Sequence, residues 1–268
     1  MNKHNEHGLA LITGASAGIG ATYADRLARR GFDLLLVARN QERLDDLAAR
    51  LRAETGVKVE TWRADLTVAA DVAQVAQRLS SDPAIRLLVN NAGVGATGPL
   101  LGADPEALEN MINLNVVAVT RLAVAAATAF AVRGQGTVIN IASVLALAPE
   151  LFNGAYSGTK AYVLNLTQAL KQEVSSQGVR VQVVLPGATR TELWARAGFD
   201  VSNLPPEMLM DVDEMVDAAL AGLDLGETVT IPSLPEAADW DAFNAMRLGL
   251  APRLSLQHAA SRYERTAS

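Results

Sequence analysis

Tyr156 and Lys160 stand four residues apart in Tyr156-Ser157-Gly158-Thr159-Lys160, and Ser143 precedes the tyrosine by thirteen residues. At a spacing of i and i+4, a phenol and an ammonium project from one face of one helix. A phenol can hand a proton to an alkoxide-like oxygen, but its ordinary pKa is about 10. Bringing it near 7 takes roughly three units, or about 4 kcal/mol of preferential phenolate stabilisation. An ammonium a few ångströms away acts in that direction by opposite charge. Ser143 follows the apolar run Gly136–Ala142, and a hydroxyl there can donate to a substrate oxygen on which charge develops. Taken singly, each feature has a plainer reading. A Tyr/Lys pair on a helix snorkels at the surface, and a lone Ser turns a strand end.

A second group of residues suits a phosphate. Leu9–Thr13 runs into Thr13-Gly14-Ala15-Ser16-Ala17-Gly18-Ile19-Gly20, which opens a helical pattern. Glycines at such a turn let a pyrophosphate approach the backbone, and the helix N-terminus offers unpaired N–H groups. The next apolar run ends at Val37-Ala38-Arg39-Asn40. An NAD site usually places an acidic residue there for the ribose 2′-hydroxyl. Here Ala38 is neutral and Arg39 follows. A guanidinium matches a 2′-phosphate in charge and fork geometry. NADP (NADPH) is therefore expected in preference to NAD, with Ser16 and Asn40 as helpers. The plainer alternative is an Arg39 that is only a solvated strand-end residue.

These residues need a scaffold, and the chain supplies one pattern throughout. Short apolar runs lie at Leu9–Thr13, Asp33–Ala38, Val57–Ala64, Ile85–Asn90, Gly136–Ala142, Val179–Leu185 and Thr228–Ile231. Most lack alternation, as strands buried on both faces of a parallel sheet do. Helical patterns separate them at Gly18–Arg30, Glu42–Glu54, Ala70–Ser80, Pro105–Val132 and Tyr156–Gln177. The expected fold class is α/β: a Rossmann-like, doubly wound parallel sheet in three αβα layers, one domain over residues 1–268. Residues 187–210 contain Pro205, Pro206, Trp194 and Phe199 after a strand end, and read as a substrate lid. Residues 232–268 read as an irregular extension with one helix near Asp239–Leu248.

Composition narrows the classes. The 268 residues are 50% hydrophobic and 19% charged, so the chain folds around a large core. A net charge of −6 with 4% aromatics argues against a nucleic-acid partner. With no Cys, a disulfide scaffold, a thiolate zinc site and a Cys nucleophile are excluded. His4, His7 and His258 lie in terminal segments and read as solvated; no metal-ligand spacing is present, so no metal is expected. Met1–Gly8 is polar, unlike a signal peptide. The longest apolar stretches are about six to eight residues, against about 20 for a membrane span. The expectation is a cytoplasmic protein without a membrane partner.

With these residues set out, the chain resembles the short-chain dehydrogenase/reductase family from Leu9 to about Ile231. The resemblance rests on Thr13–Gly20, Asp65-Leu66, Asn90-Asn91-Ala92-Gly93, Asn115, Ser143, Tyr156-Ser157-Gly158-Thr159-Lys160 and Pro186-Gly187 occurring in order. It implies NAD(P)-dependent interconversion of a carbonyl and an alcohol by hydride transfer. Asn115, Ser143, Tyr156 and Lys160 are then the catalytic set, with Asn115 holding a water that links Lys160 to solvent. The implied cofactor residues are Gly14, Ser16, Ala17, Gly18, Ile19, Gly20, Arg39, Asn40, Asp65, Leu66, Asn91, Ala92 and Gly93. Tyr156, Lys160, Pro186, Gly187, Thr189 and Thr191 complete them. Lys160 is also implied to hydrogen-bond the nicotinamide ribose.

The chain departs from the family in two places. Many relatives follow the last strand with Val-Asp-Gly-Gly at a subunit interface; here Pro232-Ser233-Leu234-Pro235 stands there. The run Leu122–Val132 carries no charge, which marks either an interface or burial within the monomer. A homodimer through this run is expected in preference to a homotetramer. A 3-oxoacyl-carrier-protein reductase would need basic docking residues where Thr128 and Gln172 stand. A small or medium apolar ketone or aldehyde is therefore expected, met by Ser143, Leu145, Tyr156, Leu193 and Trp194. Val144, Leu147, Phe199, Leu204 and Met208 add to the apolar character. Three alternatives stay open: a catalytically silent cofactor-binding regulatory protein, a 3-oxoacyl-carrier-protein reductase, and an isomerase or dehydratase on the same scaffold.

Overall fold

The computed structural model describes residues 7–96, 98–196 and 200–263. His4 and Phe199, named above, lie outside the described residues. The chain divides into two compact units, Met1–Pro232 and Ser233–Ser268.

In the first unit, strands and helices alternate. They are β1 (Leu9–Thr13), α1 (Gly18–Arg29), β2 (Asp33–Ala38), α2 (Gln41–Thr55), β3 (Val59–Arg63), α3 (Ala69–Ser81) and β4 (Ile85–Asn90). Then follow α4 (Pro105–Ile112), α5 (Val119–Arg133), β5 (Gly136–Ile141), α6 (Gly154–Val174), β6 (Val179–Val184), α7 (Leu193–Arg196), α8 (Val212–Leu225) and β7 (Val229–Thr230). The seven strands form one parallel sheet in the order β3-β2-β1-β4-β5-β6-β7. This is the expected Rossmann-like α/β sheet flanked by helices. Successive residues of a strand point to opposite faces. Ala10, Ile12, Leu34 and Leu36 accordingly enter one core, and Leu9, Leu11, Leu35 and Val37 the other. Burial on both faces explains why these strands read as unbroken apolar runs.

The strand order reverses beside β1, so the carboxyl ends of β1 and β4 open a crevice, the usual ligand position in such sheets. The crevice is stitched by Thr13. Its hydroxyl donates to the Val89 carbonyl (3.3 Å) and accepts from the Asn91 and Ala92 N–H groups (3.0 Å each).

Several expected boundaries move, each for a local reason. β3 starts at Val59 rather than Val57 because Gly56, at φ 75°, ends α2 and the chain must first turn. β7 is only two residues long, closing before Ile231-Pro232; proline has no N–H for a ladder. α6 starts at Gly154 because Asn153 caps it: its Oδ1 accepts from the N–H groups of Ala155 (3.0 Å) and Tyr156 (3.2 Å). The stretch expected as one helix, Pro105–Val132, is interrupted by a π turn over Asn113–Ala118. Such turns insert one extra residue and re-aim side chains, often at functional sites.

Read as one helix, Pro105–Arg133 is long and apolar enough to cross a membrane by length and composition alone. Single polar residues such as Asn115 and Thr120 break its apolar runs and hid this in the sequence. Its Leu122, Ala123, Ala126, Ala127 and Phe130 are buried in the core of the first unit. The same run leaves part of its apolar surface open: Val124 is 46% exposed and Val132 86%.

The described residues of the second unit include the α-helix α9 (Ala237–Gly249), in which the rings of Trp240 and Phe243 pack 5.5 Å apart.

Candidate active site

Four side chains expected to do chemistry converge in the first unit, all buried: Asn115 (1% exposed), Ser143 (8%), Tyr156 (8%) and Lys160 (7%). Tyr156 and Lys160 lie one turn apart on α6, with the Lys160 nitrogen 5.7 Å from the centre of the phenol ring. Lys160 Nζ donates to the Ile141 carbonyl at the end of β5 (3.0 Å). Two residues on, Ser143 Oγ accepts from the Leu145 N–H (3.2 Å), and its hydroxyl favours the phenolate form of Tyr156. Ser157 donates to the Leu145 carbonyl (2.7 Å), tying this turn to α6.

Asn115, turned by the π segment, pairs with the backbone of Val94 in both directions. Its Oδ1 accepts from the Val94 N–H (3.0 Å), and its Nδ2 donates to the Val94 carbonyl (2.9 Å). Nδ2 also reaches Thr159 Oγ1 (3.2 Å), which donates to the Tyr156 carbonyl (2.7 Å). Gly93 sits between the two groups: a Cβ there would lie 3.1 Å from Asn115 Oδ1 and 3.6 Å from Lys160 Nζ.

Burial governs the ionisation of this cluster. It pushes the Tyr156 phenol up to about 12, against the pull of the Ser143 hydroxyl. It pushes the Lys160 ammonium down to about 8. The expectation of a phenol drawn toward 7 is not met in the protein alone. Desolvation disfavours the charged form of both groups and is the largest cause of each shift.

Beside the cluster lies a cleft of about 820 Å³, within the size range of small-molecule and cofactor sites. Of the residues expected to hold a cofactor, Gly14, Ser16, Ala17, Gly18, Ile19, Arg39, Asn40, Asp65, Leu66, Asn91, Ala92, Gly93 and Thr191 line it. Gly20, Tyr156, Lys160, Pro186, Gly187 and Thr189 do not. Gly20 lies behind the wall, where a Cβ would press into the Gly14 carbonyl and the Asn91 amide. Gly14, at φ 64°, has the left-handed backbone that glycine tolerates. The bare backbone, the start of α1 and a nearby cation fit a dinucleotide.

At the cleft's far end, Arg39 is 64% exposed and stands 4.0 Å from Asp65. Asp65 is half-buried, yet the Thr67 N–H and hydroxyl, helped by Arg39 and Arg63, hold its carboxyl below the usual range. In the segment after β6, Trp194 donates to the Thr189 carbonyl (2.8 Å). The Phe152 ring links the two regions, 6.1 Å from Tyr156 and 6.2 Å from Trp194, edge-on to both. Leu193 lines the cleft, and Leu145 contributes the backbone contacts already described.

Asn153, Thr159, Phe152, Arg43 and Glu192 were not singled out in the sequence. Only Asn153 carried a local signal, a capping residue three positions before the tyrosine.

Comparison with known proteins agrees with this geometry. A family model described as short chain dehydrogenase matches residues 8–200. A short-chain dehydrogenase from Sphingobium yanoikuyae, solved in complex with NADPH, superposes with a TM-score of 0.93 at 53% identity. That match covers 96% of this chain and all of that one. The bulky-bulky ketone specific alcohol dehydrogenase from Comamonas testosteroni gives 0.89 at 46% identity, covering 98% and 100%. Among curated sequences, very-long-chain 3-oxoacyl-CoA reductase-A of Danio rerio is 35% identical over 193 residues, 69% of this chain and 59% of that protein. This chain thus spans about three fifths of that relative's length. The motif order, the sheet and these matches agree: the chain belongs to the short-chain dehydrogenase family.

Proposed function

We propose that the protein is an NADPH-dependent reductase of apolar ketones and aldehydes of small to medium size, interconverting each with its alcohol. The observation that carries this reading is the buried phenol of Tyr156, within the influence of the Ser143 hydroxyl and one turn from Lys160. Bound in the cleft, the dinucleotide would supply the hydride. Tyr156 donates the proton that the reduced carbonyl oxygen needs, and Ser143 donates a hydrogen bond to that oxygen. Lys160 binds the nicotinamide ribose and favours the phenolate left behind. Asn115 holds a water that returns a proton from solvent. Arg39 takes the 2′-phosphate.

The segment 187–210 serves as lid, with Leu193 and Trp194 as the apolar wall. The preference for apolar ketones draws support from the bulky-ketone enzyme among the structural relatives. The 3-oxoacyl-CoA reductases among the sequence relatives favour a second reading, reduction of a 3-oxoacyl thioester.

A panel of aliphatic and aryl ketones, aldehydes and one 3-oxoacyl thioester, followed by nicotinamide absorbance, tests this. Turnover of the apolar ketones with NADPH, faster than with NADH, is the expected result. NADPH binding without turnover of any carbonyl would point instead to a silent binding protein. Turnover of the thioester alone would establish the second reading.

The exposed valines of the outer helix face, Val117 (44%), Val124 (46%) and Val132 (86%), support self-association. The expected assembly is a homodimer through this face. Light scattering at micromolar concentration should give twice the chain mass, and a monomer mass would overturn the assignment.

A further inference from the structure

One contact joins the two walls of the cleft. Arg43 lies in the first turn of α2, and its N–H donates to the Asn40 side chain (3.0 Å), which fixes it beside Arg39 at the end of β2. Glu192 lies on the opposite wall, just before α7. Its neighbour Thr191 packs over the start of α1: a Cβ on Gly18 would lie 3.3 Å from the Thr191 methyl. Arg43 Nη1 donates to both oxygens of the Glu192 carboxylate, at 3.0 and 2.8 Å. Both residues line the same cleft as Arg39.

An unpaired carboxylate would repel an anion entering this groove, and Arg43 neutralises it. The pair is nonetheless easy to open. Its partners are 46% and 50% exposed, and exposed ion pairs contribute little. A phosphate dianion offers the same guanidinium a stronger, charge-assisted contact.

We propose that Arg43 is a second cation for the 2′-phosphate, held across the groove by Glu192 and given up when the phosphate binds. The inference rests on the NADPH reading above. It assigns Glu192 a specificity role: its carboxylate competes with the phosphate for Arg43, so the groove selects ligands charged enough to win.

The test uses adenosine 2′,5′-bisphosphate and 5′-AMP as probes, titrated calorimetrically into the full-length protein and its variants. Glu192→Gln should tighten the bisphosphate about threefold or more and leave 5′-AMP within about twofold. Arg43→Gln should weaken the bisphosphate about tenfold with little change in 5′-AMP. In the double variant, the gain from Glu192→Gln should vanish. Equal effects of Glu192→Gln on both probes would reduce the pair to a general field and overturn the proposal. So would unchanged bisphosphate affinity in Arg43→Gln. Failure of the NADPH reading would look different, with the unsubstituted protein binding both probes equally.

Discussion

Tyr156→Phe is expected to lower turnover by about a thousandfold while NADPH affinity stays within about twofold, since a positioned general acid contributes 10²–10⁴. The substitution removes the transferable proton and the Ser143 contact but keeps the ring, which packs against Phe152. Burial adds a direction. With its phenol pushed up to about 12, Tyr156 is protonated throughout the neutral range. Reduction consumes that proton, so its rate should vary little with pH on account of this group. Oxidation of the alcohol needs the phenolate and should rise by about tenfold per pH unit from neutrality, until the pKa of the loaded enzyme is reached. Lys160, pushed down to about 8, loses its charge over part of the same range, which should flatten the rise at its upper end. Stopped-flow binding of NADPH and steady-state rates in both directions would test each part. Activity of the phenylalanine variant within tenfold of the unsubstituted protein would remove Tyr156 from its role.

The sheet was legible because its strands are buried on both faces, leaving unbroken runs of Val, Leu and Ile. β1, β2 and β4 fall where those runs do. The glycine loop was legible because close backbone approach admits few residues, and Gly14 and Gly20 each meet a near neighbour. The π turn at Asn113–Ala118 was not legible, because an extra residue in a helix leaves no mark in periodicity over so short a span. Nor was the Arg43–Glu192 pair, whose members are 149 positions apart and ordinary in their local contexts. The burial of the Tyr156 phenol was not legible for another reason. Sequence spacing places a cation beside the phenol but says nothing about how much water both groups lose, and that loss decides the sign here.

Loss of water matters far less at the other end of the cleft, where charge itself should decide. Arg39 is 64% exposed, and its nearest carboxylate, Asp65, stands 4.0 Å away, a separation that leaves the guanidinium available to a stronger anion. Arg39→Asp should weaken NADPH binding by about 10- to 150-fold, the span of a charge-assisted pair worth roughly 1.5–3 kcal/mol. Repulsion between the new carboxylate and the phosphate adds to that loss. The same carboxylate can accept from the ribose 2′-hydroxyl, so NADH should bind somewhat better, and the preference should reverse. Crowding against Asp65 will limit the NADH gain. Rising salt should weaken NADPH binding to the unsubstituted protein and affect the variant much less, because the site opens to solvent. Dissociation constants for both nucleotides, measured at two salt concentrations, would decide. Equal affinities in the unsubstituted protein, or an unchanged ratio in the variant, would leave Arg39 a solvated strand-end residue. Arg43 makes the result quantitative in a further way. If it shares the phosphate, adding Arg43→Gln to Arg39→Asp should move the ratio of bisphosphate to monophosphate affinity still further toward the monophosphate.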